Sequence, residues 1–395
     1  MKVFRFVVLM FAVTAIGFAQ QEKGGSSLDR GIAIWLQNNQ EEALSFFRQA
    51  VVEEPNNPDA YAWLAEALRR SGSMDTAVAM AYRTLALSPC NPQAHTTLAD
   101  LYNPQYSDWP RTSSDSTWTH NLKAVECDPG EGIAWFSLWI EGMRTGNREI
   151  EGRSLRNLSS SGFITPGALA YARWMLGSLP KNAILLTGGD MDTYPLVTLQ
   201  ESESFRTDVA VVNSSLLNMN WYAALMISRH TIVGGYTAEE IGQLRESVKG
   251  DETISVGRQV IERWVEGRAT GALKRPLAIA VGVNWTELVS RIDRFTLAGP
   301  YWIYDTGRKH KPYDGATLWT SLRSLKPIDF AGLFVNLRDR SPIRRAYAPP
   351  TAGGAVTGDL WHAVEAMREL GIDDSRKLEE WIRKFDIETG GASAD

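Results

Sequence analysis

Cysteine is nearly absent from this 395-residue chain, Cys90 and Cys127 being its two. Two cysteines build no disulfide framework, and neither stands just after the N-terminal apolar run to carry a lipid. Histidine is scarce as well. His95, His120, His230, His310 and His362 show no helical pair at ligand spacing and no cysteine partner, which argues against a zinc site in the local sequence. There is no nucleophile elbow and no phosphate-binding P-loop, and Gly353, Gly354 and Gly358 follow no strand where a dinucleotide site needs one. Long basic runs are missing, and a formal net charge of -5 makes nucleic acid a poor partner. Beyond residue 19 no apolar stretch is long enough to span a bilayer.

What is present begins at the N-terminus. Lys2 and Arg5 precede an apolar run from Phe6 to Phe18 that closes on Gly17-Phe18-Ala19, the layout of a secretory signal peptide cut near Ala19; the alternative is an uncleaved membrane anchor, for which the apolar run is short. Its removal takes the net charge from -5 to -7. The expected location is therefore periplasmic or otherwise extracytoplasmic, with residues 20–27 as a linker and no transmembrane segment left. There Cys90 and Cys127 are able to pair, and the sequence leaves a pair and two free thiols equally open.

Residues 28–159 carry a ruler. Ala43 and Ala77 lie 34 residues apart, and so do Pro55 and Pro89. That period marks tetratricopeptide repeats, in which helix pairs bury their apolar stripes only by stacking on neighbours, with small residues where helices approach closely. Ala43, Phe47 and Ala50 fall in the first unit. Tyr61, Leu64, Ala65, Leu68, Gly72, Ala77 and Ala81 fall in the second. A third unit opens with His95, Leu98, Ala99 and Tyr102, is interrupted at 103–116, and resumes at Asn121, Ala124 and Pro129. A fourth helix follows with Trp135, Leu138 and Gly146. Such a stack offers a concave surface for a protein partner. The 103–116 insertion sets Tyr106, Trp109 and Pro110 among polar residues, which reads either as a partner contact through Tyr106 and Trp109 or as a plain excursion of the chain.

From about residue 160 the pattern changes to strands alternating with helices. Short β-prone runs occupy Ala183 to Thr187, Val209 to Asn213 and Leu277 to Val283, with Tyr301 to Tyr304 and Leu333 to Leu337 as two more. Helical segments lie between them, one opened by a capping box of Thr237 and Glu240. The fold class expected is α plus α/β: a repeat solenoid, then an α/β domain over 160–388 with a mostly parallel sheet, and a disordered tail at 389–395. The stretch from Trp361 to Ile387 reads as an amphipathic helix split at Gly371.

In such sheets ligands sit beyond the carboxyl ends of the strands. This singles out the loop Thr187-Gly188-Gly189-Asp190-Met191-Asp192-Thr193-Tyr194-Pro195 after the first strand. Asp190 and Asp192 are spaced to face one divalent cation, and equally placed to cap a helix beginning near Tyr194 with Pro195 in its first turn. Thr193 lies in the same loop, and Asn213 and Ser215, after the second strand, reach the same rim if the strands are parallel neighbours. Arg206 and Asp208 read as a local ion pair. Two basic clusters, Arg308-Lys309-His310-Lys311 and the four arginines from Arg338 to Arg345, suit a phosphate, an acidic glycan, an anionic lipid surface or simply solvent. Of these, Arg338 and Arg340 are the candidate ligand contacts.

The run Gly189-Asp190, Asp192-Thr193-Tyr194-Pro195-Leu196, Leu199-Gln200-Glu201, Arg206, Asp208-Val209, Asn213, Ser215-Leu216-Leu217-Asn218 and Trp221-Tyr222 resembles the soluble portion of a family of bacterial multi-span envelope proteins. Those proteins are similar to lipid-linked-sugar glycosyltransferases and often carry tetratricopeptide repeats in an extracytoplasmic tail. Over roughly 40 residues the resemblance implies an envelope α/β module that binds, positions or regulates, in contact with envelope glycan or the glycosylation machinery. The reading reached is an exported scaffold that holds a protein through its repeats and a ligand through its α/β module, with no cofactor expected. The alternative is a divalent-metal enzyme on envelope glycans or phosphates, working through Asp190 and Asp192.

Overall fold

A computed structural model describes residues 25–37, 39–105, 107–250, 252–283, 292–307, 310–335 and 351–390. The expected signal segment, most of the expected linker and residues 391–395 of the expected tail lie outside them. The described chain falls into two compact units that divide after Pro89.

The first unit contains two helix pairs: α1 (Ser27–Leu36) with α2 (Gln40–Glu53), and α3 (Pro58–Arg70) with α4 (Met74–Leu87). Local chemistry starts the first three. Ser26 accepts from Asp29 N, Asn39 from Glu42 N and Asn57 from Asp59 N, and Pro58 fills the first helical position, where no N–H is needed. Ala43, Ala50, Ala77 and Ala81 are fully buried, so helices touch at the positions the 34-residue ruler marks. Around them Trp35, Phe47 and Trp63 form one ring cluster, Phe47 stacking on Trp63 at 5.4 Å. Glu66 is buried on α3 and receives Arg69 Nε at 2.8 Å and Arg70 Nε at 2.7 Å. Two donors keep that buried charge from being an uncompensated cost.

The second unit continues with α5 (Pro92–Tyr102), α6 (Ser114–Cys127), α7 (Gly132–Thr145), α8 (Arg148–Ser160) and α9 (Pro166–Ser178). Cys90 and Cys127 form a disulfide, which settles the alternative left open by the sequence. At the start of α7 the chain passes so close to Phe163 that a Cβ on Gly132 would lie 2.2 Å from the ring.

Next come β1 (Ile184–Thr187), α10 (Asp190–Glu203), β2 (Ala210–Asn213), α11 (Asn220–Arg229), α12 (Ala238–Gln243), β3 (Ser247–Lys249), β4 (Glu252–Ile254), α13 (Val256–Thr270) and β5 (Leu277–Ala280). The described chain ends with β6 (Phe295–Leu297), β7 (Tyr301–Tyr304), α14 (Gly315–Arg323), α15 (Ala352–Glu369) and α16 (Ser375–Glu388), the last two separated at Gly371 as expected.

The main sheet runs β2-β1-β5-β7-β6. β1 pairs in parallel with β2 and β5, and every residue of these three strands is buried, which is why they read as unbroken apolar runs. β7 pairs antiparallel with both β5 and β6, so the sheet is mixed where mostly parallel pairing was expected. For the β6–β7 pair the cause lies in Ala298-Gly299-Pro300. A three-residue turn, with Gly299 at φ 142°, brings β7 back beside β6 and leaves no length for a crossover. Leu333 to Leu337, expected as a strand, yields only an isolated bridge from Val335 to Ile164 within its described part. The β3–β4 hairpin forms where no strand was expected.

One core extends through this unit from Ala124 to Phe385. α8 and α9 pack on α10, α7 packs on α11, and Phe136 stacks on Tyr194 at 3.6 Å. The domain boundary expected at 159/160 thus crosses a continuous interior.

Candidate functional site

β1 is the switch point of the sheet: its chain leaves through α10 toward β2 on one side, while β5 joins it on the other. The crevice beyond the carboxyl ends of β1 and β5 is where a doubly wound sheet holds its ligands. Gly188 and Gly189 leave β1 here, and Val281, Gly282 and Val283 leave β5.

Four of the expected residues meet at this rim as one hydrogen-bonded network. Asp192 accepts Gly188 N at 2.6 Å on one carboxylate oxygen and Gly189 N at 2.7 Å on the other. Thr193 Oγ1 donates to Gly189 O at 2.6 Å, lies 2.7 Å from Thr187 Oγ1, and receives Asn213 Nδ2 at 3.1 Å. Asn213 Oδ1 accepts Leu216 N at 3.1 Å, its own N–H goes to the Tyr222 hydroxyl at 3.1 Å, and Ser215 Oγ donates to Gly188 O at 3.0 Å. Both oxygens of Asp192 are therefore engaged in capping α10. That helix begins at Asp190, four residues earlier than expected, so Pro195 sits inside it and not in its first turn. The carboxylate at Asp192 makes the difference, because it satisfies the N–H groups that a helix start leaves open. Asp190, half-buried, is the first residue of α10.

Two residues without any sequence signal complete the site. Asp359 on α15 accepts the Tyr171 hydroxyl of α9 at 2.7 Å, and a Cβ on Gly282 would stand 2.8 Å from its other oxygen. Burial pushes the Asp359 carboxyl up to about 7; the Tyr171 hydrogen bond opposes the rise and the charge of Asp192 adds to it. Asp192 is itself raised by burial, against the pull of its two N–H donors. Tyr171 is raised well above its ordinary value by burial and by both carboxylates. The crevice thus holds two mutually repelling acids, one of them protonated over part of the physiological range.

The other candidates lie elsewhere. Arg338, Arg340 and Tyr106 fall outside the described residues. Trp109 is 6% exposed, packed against Tyr102 at 5.4 Å with the Arg111 guanidinium 5.8 Å from its ring, so its face is turned inward. Arg206 and Asp208 do form a local ion pair at 2.8 Å. Among the described residues no group of three or more His, Cys, Asp or Glu is arranged to hold a metal ion.

Of the residues behind the envelope-protein resemblance, Asp192, Thr193, Asn213 and Ser215 build this rim, while Gln200, Arg206 and Asp208 build the opposite end of the strands, before β1 and β2. Gln200 Nε2 donates to Arg206 O and Val209 O, both at 2.9 Å. Arg206, at φ 50°, donates to the carbonyls of Leu176, Leu179 and Pro180. Asp208 accepts Asn182 N at 2.7 Å.

Residues 168–231 match a family described as TMEM260-associated domain 2, and residues 35–101 match a tetratricopeptide repeat. The chain carries tetratricopeptide repeats. Among solved structures it is similar to a thermophilic tetratricopeptide-repeat protein of Thermus thermophilus, 19% identical over 46% of this chain and 92% of that one, with a TM-score of 0.33. None of the curated proteins compared with it matches.

Proposed function

We propose that this is an exported scaffold of the cell envelope that holds a protein partner through its repeats, while its α/β module binds or positions a ligand without catalysing a reaction. The repeats carry the reading, since helix pairs stacked on small residues are a general platform for protein capture. Export is supported by the signal-like N-terminus together with the Cys90–Cys127 bridge, because disulfides persist in oxidising compartments. Among the described residues no helix is long and apolar enough to cross a membrane. The crevice beyond the carboxyl ends of β1 and β5 is where the α/β module would hold that ligand, since a doubly wound sheet binds at its switch point.

The test is proximity labelling from the full chain in its own cell, beside a chain lacking residues 25–89. A partner labelled by the first and lost from the second is the expected result. Equal labelling by both chains would remove the repeats from the interaction. Fractionation of the same cells checks export, with the chain expected in the extracytoplasmic fraction and its N-terminus near residue 20.

A further inference from the structure

The end of the sheet opposite the β1–β5 crevice gathers positive charge, and Arg275 is its hub. The Arg275 guanidinium donates to Asn182 O before β1 at 2.8 Å, to Asp208 O before β2 at 2.7 Å, and to the carbonyl of His230, which ends α11, at 2.5 Å. Arg206 enters the same end and pairs with Asp208 at 2.8 Å. From α8, Glu151 meets two arginines at one carboxylate oxygen, Arg229 Nη1 at 2.9 Å and Arg148 Nη1 at 3.0 Å, so those two guanidiniums are neighbours. Four guanidiniums thus share two carboxylates, an excess of two positive charges.

The half-buried His230 ring has no hydrogen-bond partner among the described residues, and both its nitrogens stay open to solvent. Burial pulls the imidazole down to about 4, and the charges of Arg275, Arg229 and Arg148 pull it the same way, with no carboxylate opposing them. Charged groups on the other elements packed against α11 are largely engaged elsewhere. Glu141 holds Arg144 on α7, Glu240 serves Thr237 N on α12 beside the exposed Glu239, and on α13 Arg263 pairs with Glu266 and Arg258 with Glu252.

Two groups here have donors to spare. A neutral imidazole carries one N–H, which nothing uses. Arg148, its side chain 67% exposed, spends only Nη1 on Glu151 and keeps Nε and Nη2. Arg229 and Arg275 have committed their forks to Glu151 and to carbonyls, so they act through charge alone. The excess of two charges selects the ligand, since a carboxylate neutralises half of it and a phosphate dianion all of it. We propose that this end of the sheet binds a phosphate group, its oxygens on the His230 ring and on the outer edge of the Arg148 guanidinium. The site stands apart from the repeats and from the crevice, and its test does not depend on the role given to either.

The experiment follows the histidine ring signals of the full chain by NMR as inorganic phosphate replaces chloride at constant ionic strength, with His230 assigned through His230→Gln. Phosphate is expected to bind in the millimolar range and to raise the titration midpoint of His230 by at least about one pH unit, roughly a tenfold preference for the protonated ring. Arg148→Gln, on an exposed side chain whose loss leaves Glu151 on Arg229, should weaken phosphate several-fold. Methyl phosphate, titrated in parallel, separates the sources of the group: binding of either supports the site, and the tighter one tells the free ion from the ester. An unmoved His230 overturns the proposal, and so does a shift no larger than that of the exposed His362. Affinity unchanged in Arg148→Gln overturns it as well, and that variant decides the matter even if His230→Gln fails to fold.

Discussion

The Tyr171 hydroxyl and an Asp359 carboxylate oxygen lie 2.7 Å apart although 188 residues separate them in the chain, and this bond ties α9 to α15 beside Gly282, where the chain leaves β5. Asp192 stands close enough for its charge to make both groups harder to deprotonate.

Stability should fall as pH rises from about 4 to about 7. The folded-state value of Asp359, about 7, exceeds the ordinary 3.8, so the folded chain holds a proton that the unfolded chain has already lost between those limits. Each pH unit in that window costs about 1.4 kcal/mol; the contribution is present in full below 3.8 and gone above 7. Asp359→Asn, which keeps an acceptor for Tyr171, should flatten the slope and melt higher than the parent at pH 8. Melting curves at pH 5 and pH 8 check this, and a parent that is equally stable at both would contradict it.

Asp192→Ala removes the cap of α10 and should cost about 1–2 kcal/mol. The loss is expected to be the same in EDTA as in Mg²⁺ or Mn²⁺, with Asp190→Ala equally indifferent to the metal. A metal-dependent gain in the parent's melting temperature that vanishes when Asp190→Ala and Asp192→Ala are combined would instead restore the cation reading of this loop.

Arg206→Ala should be among the most damaging single changes away from the core. It strands the carbonyls of Leu176, Leu179 and Pro180 and leaves an alanine at φ 50°. A loss of about 2–4 kcal/mol is expected from denaturant titration. Arg206→Lys should recover little of it, since one ammonium cannot serve carbonyls reached by two arms of a fork.

Replacing Cys90 and Cys127 with serine opens a loop of 37 residues and should destabilise the second unit by about 3–4 kcal/mol on the chain-entropy account. Hydrogen exchange followed by mass spectrometry locates the effect. Faster exchange is expected in α5 and α6, and no change in α1 to α3.

The repeats were open to reading because each unit restates its neighbour: Ala43 predicts Ala77, and Pro55 predicts Pro89. The buried strands β1, β2 and β5 were equally plain as unbroken apolar runs. β6 was not, because Phe-Thr-Leu is too short to stand out, and the β3–β4 hairpin was hidden by exposed residues with no apolar alternation. In the loop after β1 the residues were found but their orientation was not. An Asp-x-Asp spacing serves a cation or a helix start alike, and only the positions of the Gly188 and Gly189 N–H groups decide between them. Tyr171 and Asp359 left no trace, since a contact across 188 residues has no local period.

The bridge from Cys90 to Cys127 has a mechanical meaning. A pull along the polypeptide passes from one sulfur to the other and never enters the residues between them, so α5, the insertion and α6 cannot be drawn out by tension on the chain. Whatever force a bound partner exerts through the backbone, this loop would keep its length until the disulfide is reduced.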